Sequence, residues 1–208
     1  MKRTPDFHAL TKLSLFVVGG ALVALGTACG SSSATGGTGG AGGGGSGTGG
    51  AGPGDTAKYN FETSTQGWVS GTGAVVFTPV MTSTAQHFTG TSSLSGTITA
   101  VDLPVDPVAL EILLQPTVMI PASTIVTFHV FVPSGAPIDW VQPYAQEDAI
   151  MSYRFNKTYT TVSATGAWMS VDVPLPADVT PILKIGVQFH LMAPYTGNVY
   201  IDSVNWPG

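Results

Sequence analysis

The segment Ile138–Asp148 (IDWVQPYAQED) alternates aromatic and amide side chains with smaller ones. A β-strand would bring four of these side chains onto one face, because successive residues point to opposite sides. The four are Trp140, Gln142, Tyr144 and Gln146. Aromatic rings pack on the C–H faces of sugar rings, and a glutamine amide both donates to and accepts from hydroxyl groups. The pattern therefore favours a surface that binds a carbohydrate, while simple solvent exposure is the alternative for any single residue.

Two further segments divide into a polar and an apolar face. Thr127–Val132 places His129 on its polar face. Ile185–Met192 places Gln188 and His190 on its polar face. The apolar faces consist of Phe128, Val130, Val132, Ile185, Val187, Phe189 and Leu191. We expect the polar faces to join the first segment in one surface, where imidazoles and amides bond sugar hydroxyls and aromatic rings stack on sugars. An exposed aromatic cluster usually marks an interaction site.

Pro143 lies inside the first segment. A proline nitrogen carries no hydrogen and cannot donate to a sheet ladder, so it predicts an edge strand or a β-bulge at this point. A bulge would break the alternation on which the aromatic and amide face depends.

Residues 55–208 have the pattern of an all-β domain. Short β-branched or aromatic runs are separated by turns rich in glycine and proline, and helical periodicity is almost absent. The predicted strands are Ala74–Val80, Ser92–Thr99, Thr117–Ile120, Ile125–Val132, Asp139–Gln146, Trp168–Val173, Ile182–His190 and Asn198–Val204. Several short strands at regular spacing favour a jelly-roll β-sandwich.

The composition of residues 55–208 limits the partners of this domain. The segment is long enough for one domain with a substantial core. It holds four basic and eleven acidic residues, which gives a net charge of −7, and it contains no cysteine. The charge argues against binding to nucleic acid or to an anionic membrane surface. We expect a monomer whose partner is a polysaccharide or oligosaccharide.

Residues 1–28 have the features of an export signal. A basic start precedes the apolar run Leu13–Leu25, which is shorter than the about 20 residues of a membrane span. The exit from this run ends at Cys29, the only cysteine of the chain. It resembles the lipobox of bacterial lipoproteins, although that family usually has leucine where Gly26 stands. The similarity implies an exported lipoprotein that meets the outer membrane or cell surface only through a lipid on Cys29. An ordinary cleaved signal, and therefore a secreted protein, is the alternative.

Gly30–Gly54 follows this cysteine directly and has no apolar side chain larger than alanine. Such a segment cannot bury enough surface to offset its chain entropy. We predict a flexible linker with a root-mean-square span of about 25–30 Å. The predicted organisation is therefore a signal peptide over 1–28, a lipidated cysteine and linker over 29–54, and one domain over 55–208.

Short motifs follow one another in a set order along residues 59–204. They are Tyr59-Asn-Phe61-Glu62, Gln66-Gly67-Trp68, Phe128-His-Val-Phe-Val-Pro133, Gly166-Ala-Trp168 and Asn198-Val-Tyr-Ile-Asp202-Ser-Val204. Their order resembles that of the jelly-roll carbohydrate-binding modules of bacterial plant-wall-degrading systems, which are galactose-binding-like β-sandwiches. The resemblance implies a domain that binds a polysaccharide without cleaving it.

The resemblance also implies roles for individual residues. Trp68 and Trp168 match tryptophans that are usually structural, and we expect both in the core. Glu62 and Asp202 match positions that often hold a structural calcium ion, which requires several oxygen ligands. Ordinary edge carboxylates are the alternative for these two. The family's sugar sites lie on the concave sheet or in edge loops, and the polar-aromatic face favours the sheet.

Two other functions are compatible with the sequence: a glycan-active enzyme, and an adhesion protein whose aromatic face binds another protein. A glycosidase needs two placed carboxylates. Asp139, Glu147 and Asp148 flank the aromatic segment, but they stand at predicted strand ends or turns, where solvated carboxylates are common.

A polysaccharide lyase is the more specific enzyme hypothesis. Gln188-Phe-His190 resembles the Gln-x-His strand motif of jelly-roll alginate lyases. Tyr144 or Tyr153, together with Arg154, would complete that chemistry. The other arginine- and lysine-bearing motifs of those lyases are missing, and a net charge of −7 would repel a polyuronate.

Overall fold

The computed structural model describes residues 56–71, 75–104, 106–114, 118–148 and 154–208. The predicted signal segment, Cys29, the linker and Tyr153 lie outside these residues. Within the described ranges, no helix is long and apolar enough to cross a membrane.

Eleven β-strands make up the regular structure of the described residues. They are β1 (Val69–Ser70), β2 (Phe77–Ser83), β3 (Ser93–Ala100), β4 (Val108–Leu113), β5 (Ile125–Val132), β6 (Ile138–Glu147), β7 (Phe155–Lys157), β8 (Thr160–Thr161), β9 (Ala167–Pro174), β10 (Ile182–Leu191) and β11 (Tyr195–Asn205). Most of the runs predicted from the sequence correspond to one of these strands.

The strands form two antiparallel sheets. In the first sheet the order is β1, β4, β10, β6 and β7, and β8 also pairs with β6. In the second sheet the order is β2, β3, β11, β5 and β9. This architecture confirms the predicted all-β sandwich.

The core lies between the two sheets and follows from the alternation along the strands. β5 and β10 bury the side chains of their predicted apolar faces, which are Phe128, Val130, Val132, Ile185, Val187, Phe189 and Leu191. Full burial of one such side chain contributes about 1.5–3 kcal/mol. Trp68 is also buried and makes edge contacts with Tyr59 and Phe61, each at 5.8 Å between ring centroids. The structural role predicted for Trp68 is confirmed.

Trp168 does not lie in the core, contrary to prediction. It is half-buried on the outer face of the second sheet, with its ring 5.5 Å from Phe131 and 6.0 Å from Phe88. Val171 and Val173 of the same strand are buried. Because side chains alternate along β9, Trp168 must point away from the face on which these valines lie.

Two features of the strand prediction differ from the structure. Residues 118–120 of the predicted strand Thr117–Ile120 form no strand. A strand lies earlier instead, at β4, where Val108, Leu110 and Ile112 are buried and alternate with more exposed residues. The short strands β1, β7 and β8 were not predicted either, because two or three residues carry too little periodicity to be recognised.

Pro143 occupies a regular position in β6, which has partners on both sides. It pairs with Val187, and the register is continuous from Trp140 to Gln146. Its carbonyl accepts a hydrogen bond of 3.1 Å from the backbone N–H of Thr158. In an antiparallel strand the nitrogen of a residue faces the same side as its carbonyl, so the Pro143 nitrogen faces the interruption between β7 and β8. The predicted bulge or edge position is therefore wrong, and the alternation holds.

Candidate functional site

The outer face of the first sheet brings together four of the predicted ligand residues. β6 and β10 pair so that Trp140 lies opposite His190. Two positions along, Gln142 lies opposite Gln188. These four side chains are half-buried, and Tyr159, which is exposed, lies beside Trp140. The five residues are called the platform below.

Three rings of the platform form a wall that runs from β10 across β6 to the connection between β7 and β8. The imidazole of His190 and the indole of Trp140 stack almost parallel, with centroids 4.9 Å apart and planes 4° from each other. The ring of Tyr159 lies 5.3 Å from the indole, with its plane tilted by 46°. Because His190 covers one indole face, Trp140 forms part of a continuous wall and is not an isolated stacking surface. Such a wall is suited to contact with the C–H groups of a sugar.

Asp139 holds the imidazole of His190 in this stack. Its Oδ1 lies 2.6 Å from His190 Nδ1. A carboxylate can only accept, so Nδ1 carries the hydrogen, and in the neutral imidazole Nε2 is an acceptor. Asp139, which the glycosidase hypothesis counted among strand-end carboxylates, is thus paired with a platform residue.

Tyr144 is buried and supports the platform instead of offering its ring to a ligand. It is 2% exposed and lies against Gly186, where an added Cβ would come within 2.8 Å of the tyrosine Cζ and Oη. Its hydroxyl donates a hydrogen bond to Glu111 on β4, and Phe155 packs beside it at 5.4 Å. Burial, and then the hydrogen bond and charge of Glu111, raise the pKa of Tyr144. The predicted stacking of Tyr144 on a sugar is corrected for this reason.

Glu111 and Lys184 form an ion pair next to this tyrosine. Lys184 Nζ lies 3.0 Å from Glu111 Oε1, and both side chains are largely buried. Each charge offsets the other, so this flank of the platform carries no net charge. Sequence reasoning missed Glu111 because β4 was not predicted. The available signal was its place between the apolar residues Leu110 and Ile112.

The amide side chains form a row between the ring wall and Tyr144. Along β6, Gln142 stands midway between Trp140 and Tyr144, about 7 Å from each at 3.4 Å per residue. Gln188 continues the row on β10, and Ala109 continues it on β4. This row crosses three strands, which is a width of about 10 Å at 4.8 Å between neighbouring strands. Large side chains bound it along β6, with Trp140 on one side and Tyr144 on the other. Its geometry suits a short length of an extended chain that lies across the strands.

Gly186→Ala is expected to destabilise the domain and displace Tyr144. The new Cβ would lie 2.7 Å from the backbone oxygen of Leu110 as well as against the tyrosine ring, and a backbone oxygen cannot move aside. Overpacking of this kind costs about 1–3 kcal/mol, equivalent to a fall in Tm of roughly 2–12 °C. Thermal unfolding followed by circular dichroism measures the change, with the exposed Ser170→Ala as control. An unchanged Tm would show that the strands tolerate the methyl group.

Gln146 and His129 do not belong to the platform. Gln146 is buried, at 8% exposure, and pairs with Lys184 at the far end of β6. His129 lies on β5 in the second sheet, so its side chain is on the opposite outer face of the sandwich. The prediction that three strands share one surface is therefore wrong. Alternation indicates which face of a strand is polar, but it does not indicate which sheet the strand joins.

Glu147 is a buried structural carboxylate, contrary to the expectation of a solvated strand end. It is fully buried, and Oε1 accepts from Arg154 Nε at 2.6 Å and Asn156 Nδ2 at 2.8 Å. Oε2 accepts from the N–H of Thr180 at 2.8 Å and from its hydroxyl at 2.9 Å. Burial by itself raises the pKa, but the hydrogen bonds from Arg154, Thr180 and Asn156 outweigh it and lower the pKa of Glu147 to about 2.

Arg154 is not available for the chemistry of the lyase hypothesis. Its guanidinium is bound to Glu147 and, at 3.2 Å, to Asp178. Glu147 lies seven residues along β6 from Trp140, the partner of His190, which corresponds to about 24 Å. The arginine and the Gln-x-His motif are therefore far apart. Within the described residues, no group of three or more His, Cys, Asp or Glu side chains could hold a metal ion.

Glu62 and Asp202 both bind the loop between β2 and β3. The carboxylate of Glu62 accepts from the N–H of Thr91, at 2.9 Å to Oε1, and from its hydroxyl, at 2.7 Å to Oε2. Asp202 is fully buried, and its Oδ2 accepts from the N–H groups of Phe88 at 2.8 Å and Thr89 at 3.2 Å. Calcium binds oxygen ligands. The two carboxylates are of that type, and in this structure their oxygens accept from N–H and O–H donors of the loop.

Calcium at Glu62 and Asp202 stays a prediction that the family resemblance alone supports. Its signature is a Tm that is higher in millimolar calcium than in EDTA, because a ligand that binds only the folded state stabilises it by mass action. Melting curves that coincide in calcium and EDTA would exclude the ion.

Comparisons with known proteins give similarity in structure only. No family model matches the chain, and no curated protein is similar to it in sequence. Among solved structures, it is similar to a protein from work on the promiscuous specificity of carbohydrate-binding modules of the β-sandwich superfamily, at TM-score 0.59 and 28% identity. That match covers 74% of this chain and 63% of the other, so this chain spans less than two thirds of its length.

Two further solved structures share the fold at lower identity. One is a carbohydrate-binding module, CBM28, specific for non-crystalline cellulose, with TM-score 0.55, 18% identity and coverage of 72% of this chain and 93% of that one. The other is the CBM22-1 xylan-binding domain from Paenibacillus barcinonensis Xyn10C, with TM-score 0.51, 16% identity and coverage of 70% and 88%. These similarities confirm the predicted fold class, a β-sandwich of the kind found in carbohydrate-binding modules.

Proposed function

We propose that the domain binds a neutral polysaccharide on the platform and does not cleave it. The observation that carries this proposal is the ring wall of Trp140, His190 and Tyr159 beside the paired amides of Gln142 and Gln188. Rings provide contact with sugar C–H faces, and amides provide neutral donors and acceptors for hydroxyls. The similarity of the fold to carbohydrate-binding modules supports the same function.

The charges around the platform favour a neutral ligand. Lys184 is paired with Glu111 and is not available to an anionic chain, and the Asp139 carboxylate beside His190 is itself negative. Residues 55–208 carry a net charge of −7, which repels polyuronates and other anionic chains. Neutral β-linked glucans and mannans of plant walls or microbes are the ligands that fit these conditions. Because no charge pairing drives the contact, affinity should depend little on salt.

Affinity is expected to be modest. A pair of aromatic rings contributes about 0.5–1.5 kcal/mol beyond the area it buries, and by analogy we expect a similar contribution from each sugar ring packed on an aromatic ring. A half-buried strip with a few such contacts corresponds to a dissociation constant on the order of micromolar to millimolar.

The test is a panel of soluble β-glucan, mannan, xylan and alginate, assayed with the purified protein both for retention in affinity gels and for release of product. Retention by a neutral glycan without released sugar supports the proposal. Release of unsaturated oligosaccharides that disappears in His190→Ala would indicate the lyase. A folded protein that no glycan retains would contradict carbohydrate binding and favour an adhesion protein that binds another protein.

We also propose that the protein is exported and anchored by a lipid on Cys29. The support is the signal-like segment 1–28, the single cysteine and the glycine-rich linker after it. The linker would let the domain reach a glycan about 25–30 Å from the anchor. Mass spectrometry of the mature N-terminus is expected to show cleavage before Cys29 and a diacylglycerol on its sulfur. Cleavage at another position, or an unmodified cysteine, would contradict the anchor.

A further inference from the structure

A second candidate site lies on the outer face of the other sheet, around His129. A cavity of about 600 Å³ is bounded there by the loop after β2 and by residues of β5, β9 and β11. Its lining includes Phe88, Thr127, Asp172 and Asn205 as well as His129. Small-molecule sites usually occupy about 300–1,000 Å³, so the space is sufficient for a ligand of a few rings.

The wall of this cavity is held in place by contacts within the protein. The Phe88 ring stacks on the His129 imidazole, with centroids 3.7 Å apart and planes at 16°. The backbone N–H groups of Phe88 and Thr89 are bound to the buried Asp202. His129 Nδ1 lies 3.2 Å from the carbonyl oxygen of Ser203, which can only accept, so Nδ1 donates. A site fixed in this way loses little conformational freedom when a ligand binds.

The chemistry of the lining selects for a neutral, hydroxyl-rich ligand. No lysine or arginine of the described residues lines the cavity, so an anion would find no counter-charge. Among the residues that the structure describes, Asp172 is the only carboxylate of the lining, and its Oδ1 accepts from the Thr127 hydroxyl at 2.7 Å. A carboxylate makes strong, charge-assisted hydrogen bonds with sugar hydroxyls. Hydroxyl groups, the Asn205 amide and the aromatic wall repeat the types of group that the platform offers.

We infer that this cavity is a second saccharide site, which binds a short segment or an end of a neutral glycan. The ligand class rests on the function proposed for the platform. The two sites lie on opposite outer faces of the sandwich, so one short stretch of glycan cannot occupy both. One domain would then hold two glycan segments and cross-link chains, which increases its retention on a polysaccharide without any increase in the affinity of either site.

The test is a titration of the full chain with cellotetraose and, separately, mannotetraose, followed by amide chemical shifts in nuclear magnetic resonance. We expect two separate sets of shifted amides, one around Gln142 and Gln188 and the other around Phe88 and Asp172. Asp172→Ala is expected to lower affinity at the second set by about tenfold or more and leave the first unchanged. Thr127→Val should weaken the same set. The matched control is Thr196→Ala, an exposed threonine of β11 outside the cavity.

The Trp140→Ala variant distinguishes this inference from the proposed function. If Trp140→Ala does not fold, Gln142→Ala takes its place as the platform variant. Shifts that persist around Asp172 in the platform variant support the second site. Loss of every shift in the platform variant would overturn the second site and leave the platform in place. If Asp172→Ala removes all binding and the platform variant removes none, the platform is not a binding site. Absence of any shift with both probes would overturn both.

Discussion

Replacing Trp140 with alanine is expected to lower the affinity of the protein for a neutral glycan by about tenfold at the platform. The substitution removes the middle ring of the wall, so His190 loses its stacking partner at 4.9 Å and Tyr159 its neighbour at 5.3 Å. The loss of the sugar contact, together with the looser placement of the two neighbouring rings, corresponds to about 1.4 kcal/mol of binding free energy for a tenfold change. Calorimetric titration with a β-glucan or mannan oligosaccharide measures the change.

The matched control for this experiment is Met81→Ala. Met81 is 50% exposed on β2 of the second sheet, so its removal also takes away a large exposed apolar side chain. We expect the control to bind as the unmodified protein does. Gln142→Ala and Gln188→Ala should each weaken binding severalfold, because each deletes one amide hydrogen bond of about 0.5–1.5 kcal/mol. Unchanged affinity in Trp140→Ala, with the fold intact, would remove the ring wall from the binding site.

The part of the platform that could be predicted from the sequence is the part determined by alternation along single strands. Trp140 and Gln142 share one face of β6 and Gln188 and His190 share one face of β10, as period-two alternation requires. Their meeting across the sheet depends on β6 and β10 being neighbours, a pairing between segments far apart in sequence. His129 has equally clear alternation, yet β5 pairs with β9 and β11. Strand order is a property of the whole fold, and one strand's pattern does not contain it.

Burial on an outer face was the second feature that alternation could not predict. Tyr144 alternates with Gln142 and was expected to be exposed, but it lies against Gly186 of the neighbouring strand. The missing side chain of that glycine creates the space that the ring fills. Recognising this requires the register Tyr144–Gly186–Glu111 across three strands. The same applies to Glu147. Its carboxylate accepts hydrogen bonds from Arg154, Asn156 and Thr180, and Thr180 is 33 positions away in the chain.

Replacing Glu147 with glutamine is expected to destabilise the domain strongly at neutral pH. The carboxylate accepts hydrogen bonds from Arg154, Asn156 and Thr180 in a fully buried position. A glutamine amide keeps the size but presents an NH₂ group to some of these donors, and it leaves the guanidinium without this counter-charge. Loss of a buried, charge-assisted network of this kind costs about 2–4 kcal/mol, or a fall in Tm of roughly 4–16 °C.

The pH dependence of this loss provides the decisive measurement. The pKa of Glu147 is lowered to about 2, so its ionised form stabilises the fold fully above the pKa of an unfolded glutamate, about 4.3. That contribution disappears as the pH falls toward about 2. The Tm difference between the unmodified protein and Glu147→Gln should therefore be constant above about pH 5 and shrink steadily below it. The pKa of Asp178 is lowered by its hydrogen bond with Arg154 and raised by the charge of Glu147, so its contribution is coupled to this carboxylate and is measured together with it. Asp102→Asn, at an exposed loop carboxylate, is the control and should show no such trend. A Tm difference that stays the same from neutral pH to acid would mean that the charge of Glu147 does not stabilise the fold.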